Sequence, residues 1–423
     1  MNSRTIRGDR LHIAFFGRRN AGKSSLINAL TNQAVSIVSE TPGTTTDPVF
    51  KSMELMPIGP VVLIDTAGMD DLEDALGEER VKRSEKVLSK TDLAIIVVDS
   101  AGTAGDMEDD LIRQCTENKS SVIIVLNKID KGLSESVHNW ITEKSFVRVS
   151  AKENTGIAEL KSRIIEVAPS EWEPPFLRDL IHPGETVVLV TPIDLGAPKG
   201  RLIMPQVKAI RDILDGDAVA VMCKERELLT TLNSLKNNPA LVVTDSQVFS
   251  QVSADVPESV PLTSFSILSI RQKGDLAEMV KSVLAVENLK PGDKVLVAES
   301  CSHHPLEDDI GRVKIPRWLN AHVGGGLKIE TVPGCEYPDN LEEYKLVIHC
   351  GACTLNRKEM LRRQSIPAKA QIPMTNYGVL ISYLHGVFPR ALKPFPEIHR
   401  LFDKNNLKKD ISSRKKMSGM AEI

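Results

Sequence analysis

The 423-residue sequence has few cysteines, no long apolar run and no marked excess of either charge, and each shortage removes a class of protein. Six cysteines are too few to staple a chain of this length into a disulfide scaffold. Three of them crowd into one ligand-like pattern, which in a reducing compartment favours metal over disulfide, while Cys115, Cys223 and Cys335 read as small buried hydrophobes. No apolar stretch approaches the ~18–20 residues of a membrane span, so no membrane partner is expected. The opening MNSRTIRGDR lacks the apolar core of a signal peptide, which points to a cytoplasmic protein. A net charge of −3 gives no whole-chain case for a nucleic-acid partner, and the basic run from Lys404 to Lys416 reads as a solvated, mobile tail. What is there, 41% hydrophobic and 26% charged residues, is the balance of a globular protein long enough for two or three cores.

The pattern predicts an α/β protein of three consecutive α/β domains, the first with a mostly parallel sheet. Short apolar runs (His12–Phe16, Val61–Ile64, Leu93–Val98, Val122–Leu126, Phe146–Val149) alternate with helical or polar stretches, the rhythm of βα units, and assign residues 1–170 to that domain. Ser170-Glu171-Trp172-Glu173-Pro174-Pro175 is a linker, because two prolines after a polar run cannot continue a helix. A small second domain, residues 178–262, is expected to use strands at Thr186–Thr191, Ala218–Met222, Leu241–Val243 and Leu262–Ile267, with helices over Gly200–Leu214 and Glu225–Leu235. The third, residues 263–423, starts with an amphipathic helix over Gly274–Val286, and its strands are Lys294–Ala298, Leu327–Thr331 and Tyr344–Ile348.

Gly17-Arg18-Arg19-Asn20-Ala21-Gly22-Lys23-Ser24 follows an apolar strand and opens a helix from Ser25, the setting in which G-x-x-x-x-G-K-[ST] cradles phosphates with backbone amides. Lys23 would pair with the β- and γ-phosphates and Ser24 would coordinate Mg2+. Asp65-Thr66-Ala67-Gly68 supplies an aspartate for the magnesium shell and a glycine that reaches the γ-phosphate through its backbone. In Asn127-Lys128-Ile129-Asp130 the carboxylate of Asp130 can accept both guanine N–H donors, and Ser150-Ala151-Lys152 backs the base, so the nucleotide is GTP and not ATP. Thr41-Pro42-Gly43-Thr44-Thr45-Thr46-Asp47 resembles the first switch of the TrmE- and Era-like GTPases, and by that resemblance Thr45 ligates magnesium, with Thr44 as the alternative. Met69 stands where Ras-like GTPases orient the attacking water with glutamine, a job a thioether cannot do. The TrmE-like resemblance implies K+ in compensation, held partly by Asn20.

Cys301-Ser302-His303 and His349-Cys350-Gly351-Ala352-Cys353 lie just past the ends of two expected parallel strands, so residues far apart in sequence can meet at one sheet edge. Cys301, Cys350 and Cys353 with His303 or His349 suit a tetrahedral zinc or an iron–sulfur cube. His304, Glu307 and Asp308 could alternatively serve a cluster-dependent enzyme, though they fit helix capping as well.

Together these motifs resemble the FeFe-hydrogenase maturation GTPases (HydF) over essentially the whole chain. The resemblance implies a 4Fe-4S cluster on Cys301, Cys350 and Cys353, with His303 and His349 as further metal candidates near an exchangeable iron. It also implies a dimerising middle domain, hence a homodimer. The implied role is a scaffold or carrier that takes a diiron precursor, its cargo, from two radical-SAM maturases to apo FeFe-hydrogenase. The competing expectation is a TrmE- or Era-like GTPase of tRNA modification or ribosome assembly with a structural zinc, which would want a larger basic surface.

Overall fold

The structure, a computed structural model, describes residues 8, 10–31, 49–66, 68, 86–169, 174–192, 202–300, 309–334 and 336–403. The chain divides into two compact units, Met1–Trp172 and Glu173–Ile423.

In the first unit β1 (Leu11–Phe16), β2 (Val49–Leu55), β3 (Gly59–Asp65), β4 (Leu93–Asp99), β5 (Ser121–Asn127) and β6 (Phe146–Arg148) form one sheet in the order β2-β3-β1-β4-β5-β6. Only β2 runs antiparallel. The central strands are near-continuous apolar runs because helices cover both faces, and the strand period of two deals their side chains alternately into two cores. Leu11, Ile13, Phe15, Ile95 and Val97 fall in one core, and Ala14, Phe16, Ile96 and Val98 in the other. The edge strand β2, with Val49 and Phe50 exposed, carries no such run, and the sequence pattern missed it. On either side of β1 the chain continues in opposite directions across the sheet, to β3 and to β4, which opens a crevice at the carboxyl end of β1. The phosphate loop begins there.

The second unit holds two four-stranded, wholly parallel sheets. One consists of β7 (Thr186–Val190), β8 (Val219–Cys223), β9 (Leu241–Thr244) and β10 (Leu262–Ser264) in the order β10-β9-β7-β8. The other consists of β11 (Lys294–Glu299), β12 (Lys328–Pro333), β13 (Tyr344–His349) and β14 (Met374–Asn376) in the order β12-β11-β13-β14. A single apolar core, from Phe176 to Phe402, runs through both.

Expected and observed elements part most clearly at Leu262–Ile267. The strand stops at Ser264, whose hydroxyl accepts from the Ile267 amide at 3.3 Å and caps a helix over Phe265–Lys273. That helix is buried on nearly all sides, so its sequence shows no amphipathic period and reads as a strand. Burying Phe265, Ile267, Leu268 and Ile270 contributes about 1.5–3 kcal/mol for each side chain. The next helix is Leu276–Val283, shorter than expected, started by Asp275 accepting from the Glu278 amide at 3.0 Å. The expected helix over Gly200–Leu214 is observed as Met204–Asp215, and that over Glu225–Leu235 as a 3₁₀ turn leading into Leu228–Ser234.

Candidate functional site

The nucleotide loop is shaped by backbone that side chains resist. Gly17 and Gly22 have φ of +141° and +92°, and a Cβ on them would come within 2.2 Å of the Val97 carbonyl oxygen and of Asn127 Nδ2 respectively. Asn20 holds a left-handed φ of +59°. Lys23, Ser24 and Ser25 occupy the first turn of the helix Lys23–Thr31, whose N-terminus opens on the loop. Lys23 is buried and donates to the carbonyls of Gly17 at 2.9 Å and Arg18 at 2.8 Å, an ammonium folded into the loop that phosphates would fill. The Ser24 hydroxyl donates to Asp65 Oδ2. Asp65 Oδ1 is buried with no hydrogen-bond partner among the described residues. Burial raises the Asp65 carboxyl above its ordinary range, opposed by Ser24 and by the charges of Lys23 and Lys51. An orphaned carboxylate oxygen beside a serine hydroxyl suits Mg2+ and its bound water, so this pair fits the ion. Gly68 lies so close to the loop that a Cβ there would sit 2.8 Å from Arg19 N and Cα.

The base-reading loops are tied back to the phosphate loop. Asn127 Nδ2 donates to the Ala21 carbonyl at 2.9 Å, and its Oδ1 accepts from the Ala151 amide at 3.1 Å. Lys128 donates to the Asn20 carbonyl and to Asp99 Oδ2, the latter at 2.6 Å. Ser150 Oγ donates to Asp130 Oδ1 at 2.6 Å, and that bond holds the Asp130 carboxyl below its ordinary range, with a smaller contribution from Lys152. An ionised Asp130 presents only acceptors, which is what two guanine donors require. Thr45, Thr44 and Met69 lie outside the described residues.

The cysteine site is assembled by strand pairing. β11 and β13 run parallel with Ala298 opposite His349, and the Cys350 amide donates to the Ala298 carbonyl at 3.0 Å. This brings Ser300 against Cys350: its amide donates to Cys350 Sγ at 3.2 Å, and its hydroxyl lies at the same distance. Cys301 and His303 lie outside the described residues. Neither Cys350 nor Cys353 is in a disulfide. Burial pushes the Cys350 thiol up, and the His349 ring and the two Ser300 donors outweigh burial and hold it below the ordinary thiol range. A left-handed Ala352 turns the chain between the cysteines. Among the described residues no three histidine, cysteine or acidic groups converge on one point. Two thiols at the strand edge that leads to Cys301 fit a thiolate-held metal or cluster.

His349 has another use than the expected one. It is fully buried, its Nδ1 bonds the Cys350 carbonyl at 2.8 Å, and its Nε2 accepts from Arg363 Nε at 2.8 Å. Because an arginine can only donate, Nε2 is the acceptor and Nδ1 carries the proton, which leaves no ring nitrogen for a metal. In this structure both ring nitrogens are engaged by protein groups, and the ring positions Cys350.

Further supports went unseen in the sequence. Asn376 Nδ2 donates to the Cys350 carbonyl at 3.3 Å, while its Oδ1 accepts from the Gly378 amide at 2.8 Å. Lys273, buried at the end of its helix, donates to the carbonyls of Ala352 and Cys353 at 3.4 Å and of Leu355 at 2.8 Å. No local motif marks these residues; only the Asn-Tyr-Gly turn at Asn376 hints at a cap.

The sheet order and the three interlocked loops define the first unit as a P-loop GTPase domain. Residues 12–128 match the family model described as 50S ribosome-binding GTPase. Residues 176–274 match the hydrogen maturase F dimerization domain, and residues 277–394 the hydrogen maturase F tetramerization domain. The chain belongs to the hydrogen maturase F family, the maturation GTPases its sequence resembles. Similar curated proteins include the tRNA modification GTPase MnmE of Koribacter versatilis, 38% identical over 164 residues, which are 38% of this chain and 35% of that one. MnmE of Aquifex aeolicus is 34% identical over 161 residues, again 38% and 35% of the two chains. The chain thus spans about a third of the length of these relatives. Among solved structures, Era of Aquifex aeolicus bound to GDP.AlF4- covers 50% of this chain and 91% of its own, at 21% identity and a TM-score of 0.33.

Proposed function

We propose that this chain is a GTP-hydrolysing scaffold that holds an iron–sulfur cluster on Cys301, Cys350 and Cys353 and delivers a diiron precursor to apo FeFe-hydrogenase. The observation that carries the reading is the parallel pairing of β11 with β13, which sets the free Cys350 thiol beside Ser300, the residue before Cys301. The matched dimerization and tetramerization models support self-assembly.

In hydrolysis Lys23 leaves the Gly17 and Arg18 carbonyls for the β- and γ-phosphates, and the loop amides hold the anion in register. Ser24 and Asp65 would hold Mg2+, which neutralises phosphate charge when bound. Asn20, its carbonyl fixed by Lys128, is the proposed contact for K+, and turnover is slow because Met69 cannot orient water. The switch residues Thr45 and Gly68 order on the γ-phosphate and relax after hydrolysis, which gates partner binding, including that of the two radical-SAM maturases. A coupling of about 1–3 kcal/mol changes partner affinity roughly 5–150-fold, enough for such gating.

The deciding experiment is iron and acid-labile sulfide analysis of anaerobically purified protein. Iron and sulfide in the wild type that are lost in Cys350→Ser support the reading; stoichiometric zinc without iron replaces it with the tRNA- or ribosome-directed GTPase carrying a structural zinc.

A further inference from the structure

Arg363 is the largest side chain wholly withdrawn from solvent among the described residues. It stands in the helix Arg357–Lys369, and its guanidinium lies 4.6 Å over the Tyr337 ring. Nε donates to His349 at the end of β13, and Nη1 donates at 3.1 Å to the carbonyl of Gly334, just past β12. Since β11 lies between those two strands, the guanidinium straddles the end of the strand that leads through Ser300 to Cys301. Nη2 is buried and has no hydrogen-bond partner among the described residues, and none of their carboxylates is ion-paired with this arginine. The neighbouring acid, Glu359, is spent on both guanidinium donors of Arg362 at 2.9 Å. Tyr337 offers no anion either, because burial pushes its hydroxyl up to about 12. The group accepting Nε is the His349 ring and not a carboxylate. A guanidinium so placed keeps an uncompensated charge and an unmade hydrogen bond unless an anion arrives beside it.

We propose that Arg363 is the anion-recognition residue of the cysteine site, its Nη2 donating to a sulfide or thiolate of the cluster that Cys350 and Cys353 help to hold. This rests on the iron–sulfur reading above. A cube on three thiolates is net anionic in both of its usual oxidation states, so a buried cation favours binding and favours the more negative, reduced state further. The same guanidinium positions the thiolate through His349, whose Nδ1–H holds the Cys350 carbonyl. Lys273 brings a second buried cation to the other end of the turn, on the carbonyls of Ala352, Cys353 and Leu355. Hydrogen bonds to sulfur and nearby charge are established levers on cluster potential.

The test uses full-length protein reconstituted anaerobically as wild type, Arg363→Met and Arg363→Lys. Iron and sulfide are counted, and the reduced cluster is followed by electron paramagnetic resonance through a redox titration. Arg363→Met is expected to shift the midpoint negative, so that the reduced-to-oxidised ratio at the wild-type midpoint falls roughly tenfold, about 59 mV for a one-electron couple. Arg363→Lys, which keeps charge but loses the fork, is expected to shift less in the same direction, and it decides alone should the methionine variant not fold. An unchanged midpoint in whichever variant folds overturns the proposal, including when thermal stability drops, since that outcome makes Arg363 purely structural. Wild-type protein without iron and sulfide overturns the cluster reading itself, a result the midpoint comparison does not mimic.

Discussion

The nucleotide loops and the cysteine turn are both built at the carboxyl ends of parallel strands, yet they are held in opposite ways. The nucleotide loops support one another: Asn127 grips Ala21, Lys128 grips Asn20, Ser150 grips Asp130 and Ser24 grips Asp65. Every one of these residues is itself part of a motif. The cysteine turn is supported from outside, by Lys273, Arg363 and Asn376, none of which belongs to its motif. A site that braces itself can be read as text, whereas one braced by its surroundings shows only its reactive tips.

The comparison is broken most severely by Lys23→Ala, expected to lower GTP turnover by about 10²–10³-fold or more, as loss of a charge-stabilising donor does, while iron content stays at the wild-type level. Malachite-green phosphate release beside iron analysis checks both halves. Cys350→Ser and Cys353→Ser should do the reverse, losing most of their iron while turnover persists, because the site lies in the other compact unit; joint loss of both properties would show that the units are not separable in function. Asp130→Asn should weaken GTP roughly 10–100-fold and favour xanthosine nucleotides, since the amide donates where the carboxylate only accepted; competitive nucleotide binding measures it.

Gly378→Ala sharpens the contrast from the supporting side. Its Cβ would sit 2.7 Å from Ser266 Cβ, between the helix Tyr377–Leu384 and the helix Phe265–Lys273. A loss of about 1–3 kcal/mol in urea unfolding is expected, as for overpacking, together with reduced iron although no cysteine is touched. The smallest effect belongs to Asn20→Ala, which should remove most of the stimulation seen when K+ replaces Na+ and cost about 1–2 kcal/mol for alanine at its left-handed backbone. Equal wild-type rates in the two salts would sink the potassium assignment.

Much of the fold was legible because parallel strands buried on both faces spell themselves as apolar runs, as LHIAFF and LAIIVVD do. The misses follow from the same rule. β2 is half-exposed and has no run, β14 has three residues, and the helix Phe265–Lys273 is buried all round and so shows no helical period. In the site, the thiols were visible by spacing, but nothing in Arg357, Arg362 and Arg363 tells which arginine is buried. That depends on which face of one helix meets β12 and β13. The contact of His349 with Arg363 was invisible for the same reason, since the arginine lies fourteen residues further along the chain.

The helix Phe265–Lys273 also alters what a family border means. The dimerization model ends at residue 274 and the tetramerization model begins at 277, so the border falls just behind this helix. One end of the helix reaches back, with Arg271 on Asp179 at 3.0 Å and Gln272 on the Pro174 carbonyl at 2.8 Å. Its last residue reaches forward into the cysteine turn of the other module. The joint is therefore a lap joint, with a timber of one module bearing weight in the next. A chimera cut at that border between two relatives would inherit its thiols from one parent and the lysine beneath them from the other, and it would hold metal only where both parents had fitted the same prop.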